Sequence, residues 1–122
     1  MRVPHSWTIV CASVLLVAGC SSDAGKDQMT ACDFVMPTSC PKEKPSFKHD
    51  VFPVLDAKCN TCHKVNSKHW PFDNYEDVSH WSSQIESDLA TCAMPPEDAG
   101  ETLSAKERET IIAWTLCGSP NN

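Results

Sequence analysis

The sequence lacks a second Cys-x-x-Cys pair beside the one formed by Cys59 and Cys62, and this absence argues against two kinds of site. A structural zinc site built on one such pair needs another pair, or Cys and His at ligand spacing, to complete its four ligands. A thiol redox pair usually lies near alternating strands and helices, and no such alternation is visible. The two cysteines therefore require another explanation.

The sequence also lacks an apolar run long enough to cross a bilayer. The longest run, residues 7–18, follows the positive charge of Arg2 and is too short to span a membrane, which is typical of a signal peptide. It ends in Leu-Val-Ala-Gly-Cys at residues 16–20, which resembles the lipobox of bacterial lipoproteins. We therefore expect a lipoprotein signal peptide at residues 1–19 and lipidation of Cys20. An ordinary signal peptide cut elsewhere is the alternative.

Lipidation would fix where the protein resides. Several acyl chains on one cysteine make a stable membrane anchor. Ser21 and Ser22 follow Cys20 in place of an aspartate, a pattern that enteric bacteria usually sort to the outer membrane. We expect an exported, lipid-anchored protein that faces the periplasm, with the outer membrane as one candidate destination.

Positive charge is scarce. Ten Lys and Arg stand against sixteen Asp and Glu, a formal net charge of -6, and every acidic residue lies after residue 20. Such a surface is a poor match for nucleic acid or for an anionic membrane. It suits a redox partner with a basic docking face, or equally it serves solubility.

The most specific motif is Cys59-Asn60-Thr61-Cys62-His63, which reads C-x-x-C-H, the attachment signal for c-type haem. Two thiols three positions apart can add to the two vinyl groups of one haem, and the adjacent histidine can then bind its iron. The motif predicts one covalently attached haem c, bound through Cys59 and Cys62, with His63 as an iron ligand.

Met94 is the predicted second axial ligand. It lies about thirty residues beyond His63, in Cys-Ala-Met-Pro-Pro at residues 92–96, and a methionine opposite a histidine is a common haem ligand pair. Pro95 favours an extended conformation at Met94. The alternative is that Met94 only fills the core. Three histidines remain as other candidate ligands, of which the first ranks highest: His49, His69 and His80.

Four cysteines remain once Cys11 leaves with the signal peptide and Cys20, Cys59 and Cys62 are assigned. An even remainder in an exported chain predicts two disulfides among Cys32, Cys40, Cys92 and Cys117. We favour the pairs Cys32–Cys40 and Cys92–Cys117; the other pairings and free thiols stay open.

Helical signals follow a polar, Pro-rich stretch. Residues 20–46 are expected to form a lipidated tether and a disulfide-pinned segment, and residues 47–122 a helical domain. A first helix begins at Asp50 and runs into Cys59. An amphipathic helix carries Val78, Trp81, Ile85 and Leu89, with Asn74 or Asp77 as its cap.

The last helix has the clearest boundaries. Ser104 and Glu107 form a capping box. Cys117-Gly118 and then Pro120 mark its end.

Together these motifs resemble the small class I cytochromes c over residues 48–120. The resemblance implies an all-α fold around one haem, with His63 and Met94 as axial ligands and with the first and last helices in contact. Relatives carry Gly and an aromatic residue where these helices cross, whereas Val51 and Leu55 stand here, so a looser or different crossing is expected. A single C-x-x-C-H excludes a multihaem chain.

The expected function is one-electron transfer between exported redox partners, not catalysis, because iron bound on both sides leaves no open position. The mature chain is also too short for a second domain holding a flavin, quinone or copper site. Its own core is marginal, so haem is expected to complete it. The alternatives are a haem-based ligand sensor with a displaceable Met94, and a non-haem lipoprotein whose cysteines are structural or bind zinc.

Overall fold

The computed structural model describes residues 32–122, and these residues form helices and no strands. The first helix, α1, is a continuous segment in three parts, Phe47–Val51, Phe52–Val54 and Leu55–Cys59, of which the first and last are π-helical. The others are α2, Tyr75–His80; α3, Ser82–Ala90; and α4, Ala105–Leu116. The predicted all-helical class is confirmed for this part of the chain.

The first helix begins earlier than the sequence predicts. Ser46 is its N-cap: its hydroxyl accepts a hydrogen bond from the His49 N–H at 3.2 Å, and its own N–H donates to the Asp50 carboxylate at 2.7 Å. Asp50 therefore closes the first turn instead of starting the helix. The proline ring of Pro53 would clash with the carbonyl four residues back in a regular α-helix, and the wider π turn before it relieves that clash.

The first and last helices contact each other through aromatic side chains. The rings of Phe47 and Trp114 lie 5.5 Å apart, and Trp114, Val51 and Leu55 are almost completely buried. The sequence placed Val51 and Leu55 of the first helix at this contact. Phe47, just before the predicted helix start, supplies the aromatic partner.

The middle helices follow the predicted apolar pattern, with one interruption. Val78, Ile85 and Leu89 are buried. Asn74 caps α2 by accepting from the Asp77 N–H at 2.9 Å. Trp81 leaves the helical conformation and separates α2 from α3.

The predicted boundaries of α4 are confirmed at both ends. The Ser104 hydroxyl accepts from the Glu107 N–H, and the Glu107 carboxylate accepts from the Ser104 N–H at 2.7 Å, which makes the capping box. Beyond the helix, Gly118 has φ +81°, the left-handed conformation that glycine adopts without strain.

The disulfides join Cys32 to Cys92 and Cys40 to Cys117. All four predicted cysteines are paired, but the favoured pairing is wrong. Residues 32–46 contain no helix, and eight residues of extended chain can reach ~26 Å, so Cys32 and Cys40 meet different partners. The first meets the turn after α3, and the second meets the end of α4. The same segment contributes Phe34 to the core.

The residues after α4 hold the start of α1. The Asn122 side-chain oxygen accepts from the Phe47 N–H at 2.8 Å, and its carbonyl accepts from the Ser46 hydroxyl at 2.8 Å. Two aromatic side chains also bind to the residues after α4. Tyr75 donates its O–H to the Ser119 carbonyl at 2.8 Å, and the Trp114 indole N–H donates to the Pro120 carbonyl at 2.9 Å.

The two disulfides indicate an oxidising compartment, as expected of an exported chain. Within residues 32–122, no helix is long and apolar enough to cross a membrane. The predicted signal peptide and the lipidation site at Cys20 lie outside the described residues.

Candidate functional site

A cavity of about 360 Å³ lies between the end of α1, helix α3 and the loop before α4. This volume is within the usual range of small-molecule and cofactor sites. Cys59, Cys62, His63 and Met94 all line it. Much of the remaining wall is apolar and comes from three helices and two loops: Leu55, Phe72, Ile85, Leu89, Leu103 and Ile111.

Cys59 and Cys62 reach the cavity from the end of α1. Cys59 is the last residue of the helix, and its carbonyl accepts from the N–H groups of Cys62 at 3.0 Å and His63 at 2.8 Å. This tight turn keeps the two thiols and the imidazole together. Cys59 and Cys62 are the cysteines of the described residues that form no disulfide, so both thiols are available.

The Cys59 thiol is not set up for redox exchange. Burial, followed by the nearby negative charge of Glu101, raises its pKa to about 11. Exchange requires a thiolate, and catalytic thiols have lowered pKa values. The protonated state of Cys59 at neutral pH therefore argues against a dithiol oxidoreductase.

The imidazole of His63 is fixed in one orientation. Its Nδ1 lies 2.8 Å from the Trp70 carbonyl oxygen. A carbonyl can only accept, so Nδ1 carries the proton and Nε2 keeps its lone pair for a ligand. The ring also stacks on Phe72, with centroids 4.4 Å apart and planes 9° from parallel. A backbone partner of this kind is typical of histidines that bind metals.

Met94 lies in a tight turn that follows α3. The N–H groups of Ala93 and Met94 both donate to the Asp88 carbonyl, at 2.9 and 3.2 Å. The Met94 carbonyl accepts from Arg108 at 2.9 Å, and the same Arg108 nitrogen donates to the Leu89 carbonyl at 2.8 Å. Hydrogen bonds therefore hold both the N–H and the carbonyl of Met94.

The sequence did not single out Arg108. It is 5% exposed and lies on the inner face of α4. Its spacing of three and four residues from Ile111 and Ile112 was the available signal, because these positions share one helix face. Burial lowers the pKa of Arg108 from its ordinary value, but guanidinium groups stay charged in proteins.

Two stacked indoles form one side of the cavity. The rings of Trp70 and Trp81 lie 3.6 Å apart and nearly parallel, and His80 packs edge-on against Trp81. Trp70 is half-exposed, so the pair connects the cavity wall with the protein surface.

Among the other candidate histidines, His69 lines the cavity, and its ring lies 5.3 Å from that of His63. His49 and His80 are not part of the wall. The structure therefore does not favour His49, which ranked highest among the three.

The prediction of a metal-binding, iron-containing protein is contradicted by the described residues. Within residues 32–122, no group of three or more His, Cys, Asp or Glu comes together to hold a metal ion. The histidine, the methionine and the two thiols do not make such a group. The same finding removes the zinc alternative for the described cysteines.

Comparison with family models, curated proteins and solved structures finds no match to this chain.

Proposed function

We propose that this protein is a one-electron carrier that holds one haem c covalently through Cys59 and Cys62, with His63 and Met94 as axial ligands. The observation that carries this proposal is that these four side chains, from two distant parts of the chain, line one largely apolar cavity. The free thiols and the oriented imidazole agree with it. The iron would come with its porphyrin, so the chain needs no metal-ion site of its own.

A bound haem supplies an iron that gains or loses one electron without making or breaking bonds. Cys59 and Cys62 would each add a thiol across a vinyl group, which needs no oxidant. The bond from His63 Nδ1 to the Trp70 carbonyl leaves Nε2 free as a ligand. The apolar part of the wall would lower the dielectric around a bound haem.

The same contacts explain why a carrier is favoured over an enzyme. Both candidate ligands come from turns tied down by backbone hydrogen bonds, so little rearrangement is needed on electron transfer. If His63 and Met94 both bound the iron, no ligand position would be left for a substrate.

Replacing Met94 tests the ligand assignment, with Met36 as the matched control because it packs on the core outside the cavity. Met94→Ala should abolish the sulfur-to-iron charge-transfer absorption, lower the reduction potential and allow the reduced protein to bind CO. Met36→Ala should leave all three unchanged. The same potential and absorption in Met94→Ala would disprove the assignment.

A haem-based ligand sensor is the alternative reading of the same site. Reduced wild-type protein is expected to bind CO slowly or not at all. Rapid binding would favour the sensor, because it would mean that Met94 is easily displaced.

We also propose that residues 1–19 direct export and that Cys20 is lipidated, which would anchor the protein to a bacterial membrane facing the periplasm. The disulfides support export. Cys20→Ser should move the protein from the membrane to the soluble fraction and prevent incorporation of labelled fatty acid. The acidic composition favours a redox partner with a basic docking face, whose association should weaken as salt is added.

A further inference from the structure

Arg108 is a buried positive charge on the inner face of α4. It is 5% exposed, and within the part of the chain that the structure describes no carboxylate lies within ion-pair distance of it. Burying a cation is costly, and an apolar side chain could fill the same position on α4 without that cost. Its contacts therefore indicate what the charge does there.

The guanidinium bridges the two ends of one turn. A single nitrogen donates to the carbonyls of Leu89 and Met94, at 2.8 and 2.9 Å. Leu89 belongs to the last turn of α3, where the peptide dipoles give the helix end a partial negative charge, and its carbonyl also accepts from the Cys92 N–H at 3.3 Å. The charge of Arg108 thus binds to the end of α3 and to the methionine turn at once.

The surroundings keep water away from this bridge. The Phe34 ring lies 5.7 Å from the guanidinium carbon, and the Cys32–Cys92 disulfide ties the Phe34 segment to the same turn. In such a dry environment, a charge-assisted hydrogen bond is stronger than one at the surface.

We propose that Arg108 is a positioning residue that fixes the Met94 turn against α4, so that the methionine is presented to the cavity in one arrangement. The role in ligation rests on the function proposed above. The structural part of the proposal, in which a buried cation holds the turn, does not depend on that function.

The test compares Arg108→Met, which removes charge and donors, with Arg108→Lys, which keeps the charge. Lys106→Met is the control, because it removes an exposed cation from the same helix. In the full purified chain, amide hydrogen exchange at Ala93 and Met94 should be at least tenfold faster in Arg108→Met, relative to amides of α1. Arg108→Lys should restore part of the protection, and Lys106→Met should match the wild type.

In haem-loaded protein, Arg108→Met should also weaken the sulfur-to-iron absorption, and Arg108→Lys should recover part of it. Unchanged exchange at Ala93 and Met94 in Arg108→Met would overturn the proposal. Amide exchange in α1 that becomes faster by the same factor as at Ala93 and Met94 would also overturn it. If Arg108→Met does not fold, Arg108→Gln, which keeps a polar side chain but removes the charge, takes its place, and wild-type exchange at Ala93 and Met94 in Arg108→Gln would overturn the proposal. A chain that carries no haem would refute the proposed function, while the exchange experiment would still decide the role of Arg108.

Discussion

The two disulfides should contribute similarly to stability but differently to the site. Their sequence separations are 60 for Cys32–Cys92 and 77 for Cys40–Cys117. On the chain-entropy model these loops correspond to about 4.3 and 4.5 kcal/mol at 25 °C. The loops overlap, so removing one disulfide while the other remains should cost less, about 2–4 kcal/mol.

Their places in the fold separate their effects on the candidate ligand. Cys92 lies two residues before Met94, in the turn that Arg108 holds, whereas Cys117 ends α4. Loss of Cys32–Cys92 should therefore release the methionine turn. Loss of Cys40–Cys117 should loosen the end of α4 and leave that turn in place.

The assay uses two haem-loaded variants, Cys32→Ala/Cys92→Ala and Cys40→Ala/Cys117→Ala. Urea unfolding followed by far-UV circular dichroism gives the free energy of unfolding, and the sulfur-to-iron absorption reports on Met94. We expect a similar loss of stability in both variants and a weaker absorption only in the first. Wild-type stability in either variant, or equal loss of absorption in both, would refute this reasoning.

Four further predictions concern the core and the helix ends. Cys59→Ser/Cys62→Ser should lose most of its helical circular dichroism, because the cavity of about 360 Å³ lies inside a small core; a fully helical spectrum would contradict this. Ser104→Ala should cost about 1 kcal/mol in urea unfolding through loss of the N-cap, and a cost near zero would show that water replaces it. Hydrogen bonds from the Ser104 N–H and then from its hydroxyl lower the pKa of Glu107. The stability that Glu107 contributes is therefore present above the ordinary pKa of 4.5 and is lost as the pH falls through the lowered pKa. Glu107→Gln should remove this pH dependence, and an acid unfolding profile unchanged by Glu107→Gln would contradict the prediction. Asn122→Ala should cost about 1 kcal/mol, because it removes the oxygen that accepts the first N–H of α1, and unchanged unfolding would mean that the contact is not needed.

The sequence predicted those features that depend on neighbouring residues. The capping box at Ser104 and Glu107, the end of α4 at Gly118 and the caps of the middle helix are all local signals. The apolar spacing of Val78, Ile85 and Leu89 also identified buried positions.

Features that depend on the path of irregular chain could not be predicted in this way. The disulfide pairing is set by how residues 32–46 cross the domain, and no periodic pattern records that path. The start of α1 was missed because Asp50 and Ser46 are both good caps, and only the fold shows which backbone N–H donates to each side chain. Arg108 was not singled out, because arginines are rarely buried and only its spacing from Ile111 and Ile112 indicates the inner face of α4.

Covalent haem attachment is the central claim and can be measured directly. The protein, produced with cytochrome maturation machinery, is extracted with acidified acetone and assayed as the pyridine haemochrome, beside Cys59→Ser/Cys62→Ser. We predict one haem per chain that resists extraction in the wild type and none retained in the double variant. A colourless wild-type protein, or haem that is fully extracted, would contradict the account.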